Sequence, residues 1–183
     1  MMQQKAKLII FDIDGTLADR DTDELLPGVM EFFDRYATAF NIALATNQGG
    51  VGMRHWMERD GFGKPEEFPT EDQARAHVLA VQDQLMKGQP IPYYICFAYQ
   101  SKKSGQWSPL PEGISPEDPE WRADHRKPAP GMLIRAMRDA QAQPTQTIMV
   151  GDSEEDEQAA KVAGCSFQWA DDFFKRRSEL ENG

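Results

Sequence analysis

Short apolar runs alternate with amphipathic stretches along most of this chain. Residues 7–11 form an apolar run with two isoleucines, which reads as a short buried strand. Pro27-Gly28 breaks the chain, and residues 29–39 then carry Val29, Met30, Phe32, Phe33 and Tyr36 at helical spacing. Residues 41–46 predict a second strand, ended by the turn signal Asn47-Gln48-Gly49-Gly50. A helix follows over 71–86, with Thr70 as its N-cap. Residues 91–97 predict a third strand whose pairing Pro92 restricts at its start. Further on come a helix at 130–140 opened by Pro130, a strand at 147–150 closed by Gly151-Asp152, and a helix at 154–163 with acids in its first turn. A last strand at 166–170 leads into a short helix from Asp171. The polar, Gly- and Pro-dotted segments 53–70 and 99–126 read as long loops.

Strands alternating with helices predict an α/β fold, a doubly wound parallel sheet with helices on both faces. With 183 residues the chain suits one domain, taken as 1–183, with little left for a second. Hydrophobic residues at 40% and charged residues at 27% place it among ordinary globular chains. No apolar run reaches the ~18 residues that would cross a bilayer. The apolar stretch near the N-terminus, Leu8 to Phe11, is too short for a signal peptide. A cytoplasmic protein without a membrane partner, acting as a monomer, is the expectation. Cys96 and Cys165 have no metal-ligand spacing and read as reduced, packed thiols. The net charge of −10 tilts against nucleic acid, whose binding draws on phosphate neutralisation.

Three predicted strands end in polar residues of an unusual kind. The first ends in Asp12 and Asp14, the second in Thr46 and Asn47, the fourth in Asp152. In an open parallel sheet, ligands bind beyond the carboxyl ends of the strands, so residues far apart in sequence converge there. Lys127 precedes a helix start on the same side. Asp12, Asp14 and Asp152 offer hard oxygens suited to Mg²⁺, which takes a few carboxylates, waters and substrate phosphate. A carboxylate can accept a phosphoryl group, and a metal offsets its repulsion from a phosphate dianion. The Thr46 hydroxyl, the Asn47 backbone N–H and the Lys127 ammonium would hold the phosphate oxygens, and Gly15 lets the backbone curl close to them.

These motifs resemble those of the haloacid dehalogenase superfamily. Phe11-Asp12-Ile13-Asp14-Gly15-Thr16 is similar to its first motif, Ala45-Thr46-Asn47-Gln48 to its second and Lys127-Pro128 to its third. Gly151-Asp152-Ser153-Glu154-Glu155-Asp156 is similar to its fourth, and the order matches. The resemblance implies a phosphatase with Asp12 as nucleophile and Asp14 as the acid, then base. Asp14 would meet the metal through its backbone carbonyl. Asp152 would complete the metal site, and Asp156 would support the metal waters or Lys127 from behind. Arg126 is grouped with Gly15 and Asn47 for substrate binding. The run Arg126-Lys127-Pro128 resembles the capless group that includes histidinol-phosphate and heptose-bisphosphate phosphatases. That group often carries a zinc loop of cysteines and a histidine. Here Cys96 fits a first ligand position, but Ala123-Asp124-His125 replaces a Cys-x-Cys pair, so no structural zinc is expected.

The expected substrate is a small soluble phosphate ester, such as a phosphosugar. The alternative is a nucleic-acid 3′-end phosphatase, which would need Lys102, Lys103, Arg122 and Arg126 to form a basic track. A phosphoryl-storing receiver would normally carry its aspartate after a middle strand, and an inert binding module would not need this acidic and lysine set. Asp12-x-Asp14-Gly does not open an EF-hand, because Leu17 and Asp23 occupy its required Gly and Glu positions. No Walker lysine motif is present. Gly49-Gly50-Val51-Gly52 reads as a plain turn. His55, His77 and His125 read as surface or satisfied histidines, with His125 the best functional candidate. Trp56, Trp107 and Trp121 read as loop-packing residues. The segments 53–70 and 99–126 are expected to wall the substrate pocket.

Overall fold

A computed structural model describes residues 6–176. The start of the N-terminal stretch read for a signal peptide, residues 1–5, lies outside them. Five strands form one parallel sheet: β1 (Leu8–Phe11), β2 (Asn41–Asn47), β3 (Tyr93–Cys96), β4 (Thr147–Gly151) and β5 (Ser166–Trp169), in the order β3-β2-β1-β4-β5. The helices are α1 (Val29–Tyr36), α2 (Gly50–Asp60), α3 (Glu71–Leu85), α4 (Gly131–Asp139), α5 (Glu154–Ala163) and α6 (Ala170–Phe173).

The side-chain period of two divides β1 between two cores. Ile9 and Phe11 join Val29 and Phe33 of α1, Ala74, Val78 and Val81 of α3, and Ala170 of α6. Leu8 and Ile10 face the other way, against Met132, Leu133 and Ala136 of α4 and Ala159 and Ala160 of α5. A strand covered on both faces has to be apolar throughout, and that is how residues 8–11 read. Phe11 is fully buried among the rings of Phe32, Phe33, Phe173 and Phe174. Burying such a side chain contributes about 1.5–3 kcal/mol. In β2, Ile42 and Leu44 serve the first core. The small Ala43 and Ala45 serve the second and let α4 approach.

Pro92 lies just before β3, an edge strand, and its carbonyl accepts the Leu44 N–H at 2.9 Å. A proline lacking an N–H is tolerated there. Thr70 caps α3 as expected: its hydroxyl accepts the Gln73 N–H at 3.2 Å, and the Gln73 side chain accepts the Thr70 N–H at 2.8 Å.

Two expectations need correction. Residues 53–70 are not a long loop, because α2 runs to Asp60 and a 3-10 turn follows at Pro65–Glu67. The turn expected at Gly49-Gly50-Val51-Gly52 is the first turn of α2. Polarity and glycines misled the reading. The stop signal was present, since Gly61 ends α2 in the left-handed conformation.

Segment 99–126 does lack long elements. Ser108 and Tyr99 close a small hairpin-like turn, and a 3-10 turn covers Ala123–His125. Its far end is anchored: Trp121 is buried against Phe97, the Glu120 carbonyl accepts the Phe97 N–H at 2.7 Å, and the Glu120 carboxylate pairs with Arg75. No described helix is long and apolar enough to cross a membrane.

Candidate active site

The sheet order reverses direction at β1, so the crevice at its carboxyl end is where such folds bind ligands. Asp12 is the first residue past β1, and its N–H continues the ladder by donating to the Val150 carbonyl at 3.0 Å. Only 7% of Asp12 is exposed. One carboxylate oxygen accepts from Lys127 Nζ at 2.8 Å and the other from the Thr16 hydroxyl at 3.3 Å.

Lys127 is 2% exposed and uses all three ammonium protons inside the protein. It donates to Asp12 Oδ1 at 2.8 Å, to Asp156 Oδ1 at 2.6 Å and to the Ala45 carbonyl at 2.8 Å. Asn47 holds its main chain: Asn47 Oδ1 accepts the Lys127 N–H at 3.0 Å, and Asn47 Nδ2 donates to the Lys127 carbonyl at 2.8 Å.

Asp156 owes its position to the N-terminus of α5. The Ser153 hydroxyl accepts the Asp156 N–H at 3.3 Å, and Asp156 Oδ2 accepts the N–H groups of Asp152 and Ser153, each at 3.2 Å. Gly151 makes room for it, since a Cβ there would sit 2.4 Å from Asp156 Oδ2. Gly15 does the same on the opposite wall. It has φ +80°, and a Cβ there would lie 2.0 Å from Asp152 Oδ2.

Asp12, Asp152 and Asp156 each bring a carboxylate oxygen within 4.8 Å of the other two. One buried ammonium faces three carboxylates. Burial raises the Asp12 pKa, and Asp156 and Asp152 add to the rise against the pull of Lys127. Burial together with Asp156 raises Asp152 as well. Burial opposes the charge on Lys127, but Asp12 and Asp156 outweigh it and keep the ammonium protonated. The deficit of positive charge, the all-oxygen donor set and the glycine-cleared space fit a hard divalent cation.

Asp14 is not part of that trio. Its Oδ1 meets His77 Nε2 at 2.7 Å, and its Oδ2 accepts from Gln48 Nε2 at 2.9 Å. His77 stands on α3, and its Nδ1 contacts the Asp23 carboxylate. The hydrogen bond to Asp14 raises the His77 pKa, and Asp23 adds to the rise against burial, to about 9. Sequence reasoning gave His77 no role and favoured His125. In the structure His125 pairs with its neighbour Asp124 at 2.9 Å, while His77 reaches the site. The available signal was a histidine one position from Val78, on a helix whose buried stripe includes Ala74, Val78 and Val81.

Thr46 is buried, and its hydroxyl accepts from Gln48 at 3.0 Å. A cleft of about 920 Å³ opens over Asp12, Asp14, Asp152 and Lys127. Its outer wall includes Arg20, Pro69, Gln73, Lys102 and Arg126. Of the two segments expected to wall it, 53–70 reaches it through Pro69 and 99–126 through Lys102 and Arg126. Trp56 instead packs on Phe62 and hydrogen-bonds Asp60, and Trp121 is in the core. Arg122 is engaged by Glu117 and Asp124, which interrupts the basic track considered above.

A curated relative from Haemophilus influenzae, D-glycero-beta-D-manno-heptose-1,7-bisphosphate 7-phosphatase, is 30% identical over 158 residues, covering 82% of this chain and 73% of that protein. The chain belongs to the haloacid dehalogenase-like hydrolase family. The model of that family matches residues 121–170, which hold Lys127, Asp152 and Asp156. Among these hydrolases, a phosphatase of the same name from Neisseria meningitidis is also 30% identical, over 86% of this chain and 73% of its own. The D,D-heptose 1,7-bisphosphate phosphatase from B. bronchiseptica, solved with magnesium and phosphate, is 26% identical with a TM-score of 0.58. It covers 88% of this chain and 78% of that one. The parallel sheet described above is thus that of a haloacid dehalogenase-like hydrolase.

Proposed function

We propose that this phosphatase of the haloacid dehalogenase-like family hydrolyses a small phosphosugar through a covalent phosphoryl group on Asp12. One observation carries the reading: a buried carboxylate at the carboxyl end of β1 is held by Lys127 and lies beside two further carboxylates. The relatives named for heptose-bisphosphate hydrolysis and the magnesium- and phosphate-bound neighbour support it.

Asp12 attacks phosphorus, and the bond from phosphorus to the leaving oxygen breaks. Asp14 gives its proton to that oxygen. Water then attacks the phosphorus of the acyl phosphate while Asp14 takes its proton. The phosphorus–Asp12 bond breaks, and the carboxylate is restored. Lys127 keeps a positive charge against Asp12 throughout. Asp12, Asp152 and the Asp14 carbonyl, with Asp156 behind, would hold Mg²⁺, which when bound would supply neutralising charge to the phosphate oxygens. Gly15 and Asn47 shape the phosphate pocket, and Arg126 with Lys102 faces the rest of the substrate. The cleft volume lies in the range of small-molecule sites, which favours a metabolite over a polymer.

The test is phosphate release across sugar monophosphates and bisphosphates, an aryl phosphate and a 3′-phosphorylated oligonucleotide, with and without Mg²⁺. A sugar phosphate should lead, chelator should stop turnover, and Asp12→Asn should abolish it. Turnover that survived Asp12→Asn would sink the covalent route, and preference for the oligonucleotide would sink the substrate class.

A further inference from the structure

Both oxygens of the Asp14 carboxylate are taken by side-chain groups that the motifs do not account for together. Gln48 comes from just beyond β2, and His77 projects from α3, 63 positions along the chain from Asp14. His77 is 15% exposed at its side chain and is itself braced: Nδ1 contacts Asp23, whose carbonyl accepts from Gln84 Nε2 at 2.9 Å. Asp23, His77 and Asp14 therefore form a chain of carboxylate, imidazole and carboxylate, with the inner end at the site and the outer end at the surface.

The arrangement has a geometric consequence. Asp12, Asp152 and Asp156 crowd their oxygens together, while the Asp14 carboxylate, two residues from Asp12, faces His77 and Gln48. Acidic oxygens so near a cation site would otherwise be drawn toward the cation. A carboxyl that must pass a proton to a leaving oxygen and take one from water has to stay clear of the metal and keep one orientation through both steps. Two fixed donors from separate elements can supply both constraints.

We propose that His77 is a positioning residue for Asp14, holding with Gln48 the carboxylate in the orientation needed for proton transfer to and from the substrate. The inference rests on the phosphatase reading and goes beyond it by assigning a role to α3. His77 acts through Asp14 and does not touch the reacting atoms.

The leaving group provides a readout that a purely structural role would not move. An alkyl phosphate expels a poor leaving group and needs the acid, whereas a nitrophenyl phosphate expels a good one and needs it far less. His77→Leu should lower kcat/KM for a sugar or alkyl phosphate at least tenfold more than for the aryl phosphate. His77→Gln, which keeps an N–H donor close to the position of Nε2, should recover most of the loss. In an Asp14→Asn background, His77→Leu should cost little more, because the group it positions is gone. Equal losses on both esters, or full additivity with Asp14→Asn, would overturn the proposal. Wild-type protein that hydrolysed neither ester would overturn the phosphatase reading itself, and this inference with it. Wild-type turnover untouched by His77→Leu would overturn only the inference.

Discussion

Asn47 and Lys127, 80 positions apart, hold each other through two reciprocal hydrogen bonds: the Asn47 side chain accepts the Lys127 N–H and donates to the Lys127 carbonyl. One carboxamide thus fixes the main chain from which the buried ammonium reaches Asp12. Asn47→Ala leaves a part-buried N–H and C=O without that partner, which costs about 1–3 kcal/mol. The denaturant midpoint should fall accordingly, and kcat should fall with it as Lys127 loses its register. Asn47→Asp keeps the acceptor but loses the donor, and it places a charge near Glu155. It should be at least as damaging. Wild-type values for both variants would show that Lys127 is held by its ammonium contacts alone.

Gly15 and Gly113 separate close approach from backbone strain. Their φ values are similar, +80° and +83°, but a Cβ at Gly15 meets Asp152 at 2.0 Å while one at Gly113 meets nothing within 4 Å. Gly15→Ala must displace Asp152, and a misplacement of about 1 Å can cost ~10²-fold in rate. Gly113→Ala should cost stability only. Kinetics with Mg²⁺ and melting curves on both variants test this, with comparable rate losses counting against it.

Lys127→Met would leave Asp12 and Asp156 buried without their cation, a loss of about 3–5 kcal/mol. The carboxylates can escape by taking up protons, because burial already raises the Asp12 pKa with Lys127 present. A folded-state pKa above the unfolded one means the folded form binds more protons, so the variant gains stability as pH falls. Its deficit relative to wild type, measured in metal-free protein, should be larger at pH 8 than at pH 5. A deficit independent of pH would mean that the lost stability is packing of the lysine stem.

Cys96 is fully buried and donates to the Arg122 carbonyl at 3.5 Å, and burial pushes its thiol up to about 11. Burial pushes Cys165 to about 11 too. Both thiols are therefore protonated at pH 8, where the thiolate is the reactive form. Iodoacetamide should label native protein slowly and unfolded protein fast. Metal analysis should find no stoichiometric zinc, and chelator should leave the circular dichroism spectrum unchanged. Rapid native labelling of Cys96, or zinc at one equivalent, would contradict this.

The elements most legible in the sequence were those whose pattern is local. The apolar run ending at Phe11 read as a short buried strand, and Thr70 announced the start of α3 as its N-cap. Asp12, Asp14, Asn47 and Asp152 stood out because strand-end polar residues in a parallel sheet have one place to converge, and Lys127 because it precedes a helix start on the same side. Helix α2 was missed because its polarity and glycines resembled a loop, and its buried face is small, with Val51 and Gly52 its buried residues.

The sequence by itself determined the alternation of strands and helices, the four motifs and, through them, the family. Those features depend on residue type and spacing, which the chain carries in one dimension. Only the tertiary structure decided that Asp156 joins Asp12 and Asp152 while the Asp14 carboxylate faces away. That division depends on side-chain direction at a helix N-terminus and on the closeness of Gly15 and Gly151 to their neighbours. It alone brought His77 to Asp14, because a histidine on a helix has no pattern that names its partner. The distance between two side chains from separate elements is set by how the helices pack on the sheet, and no local period records it.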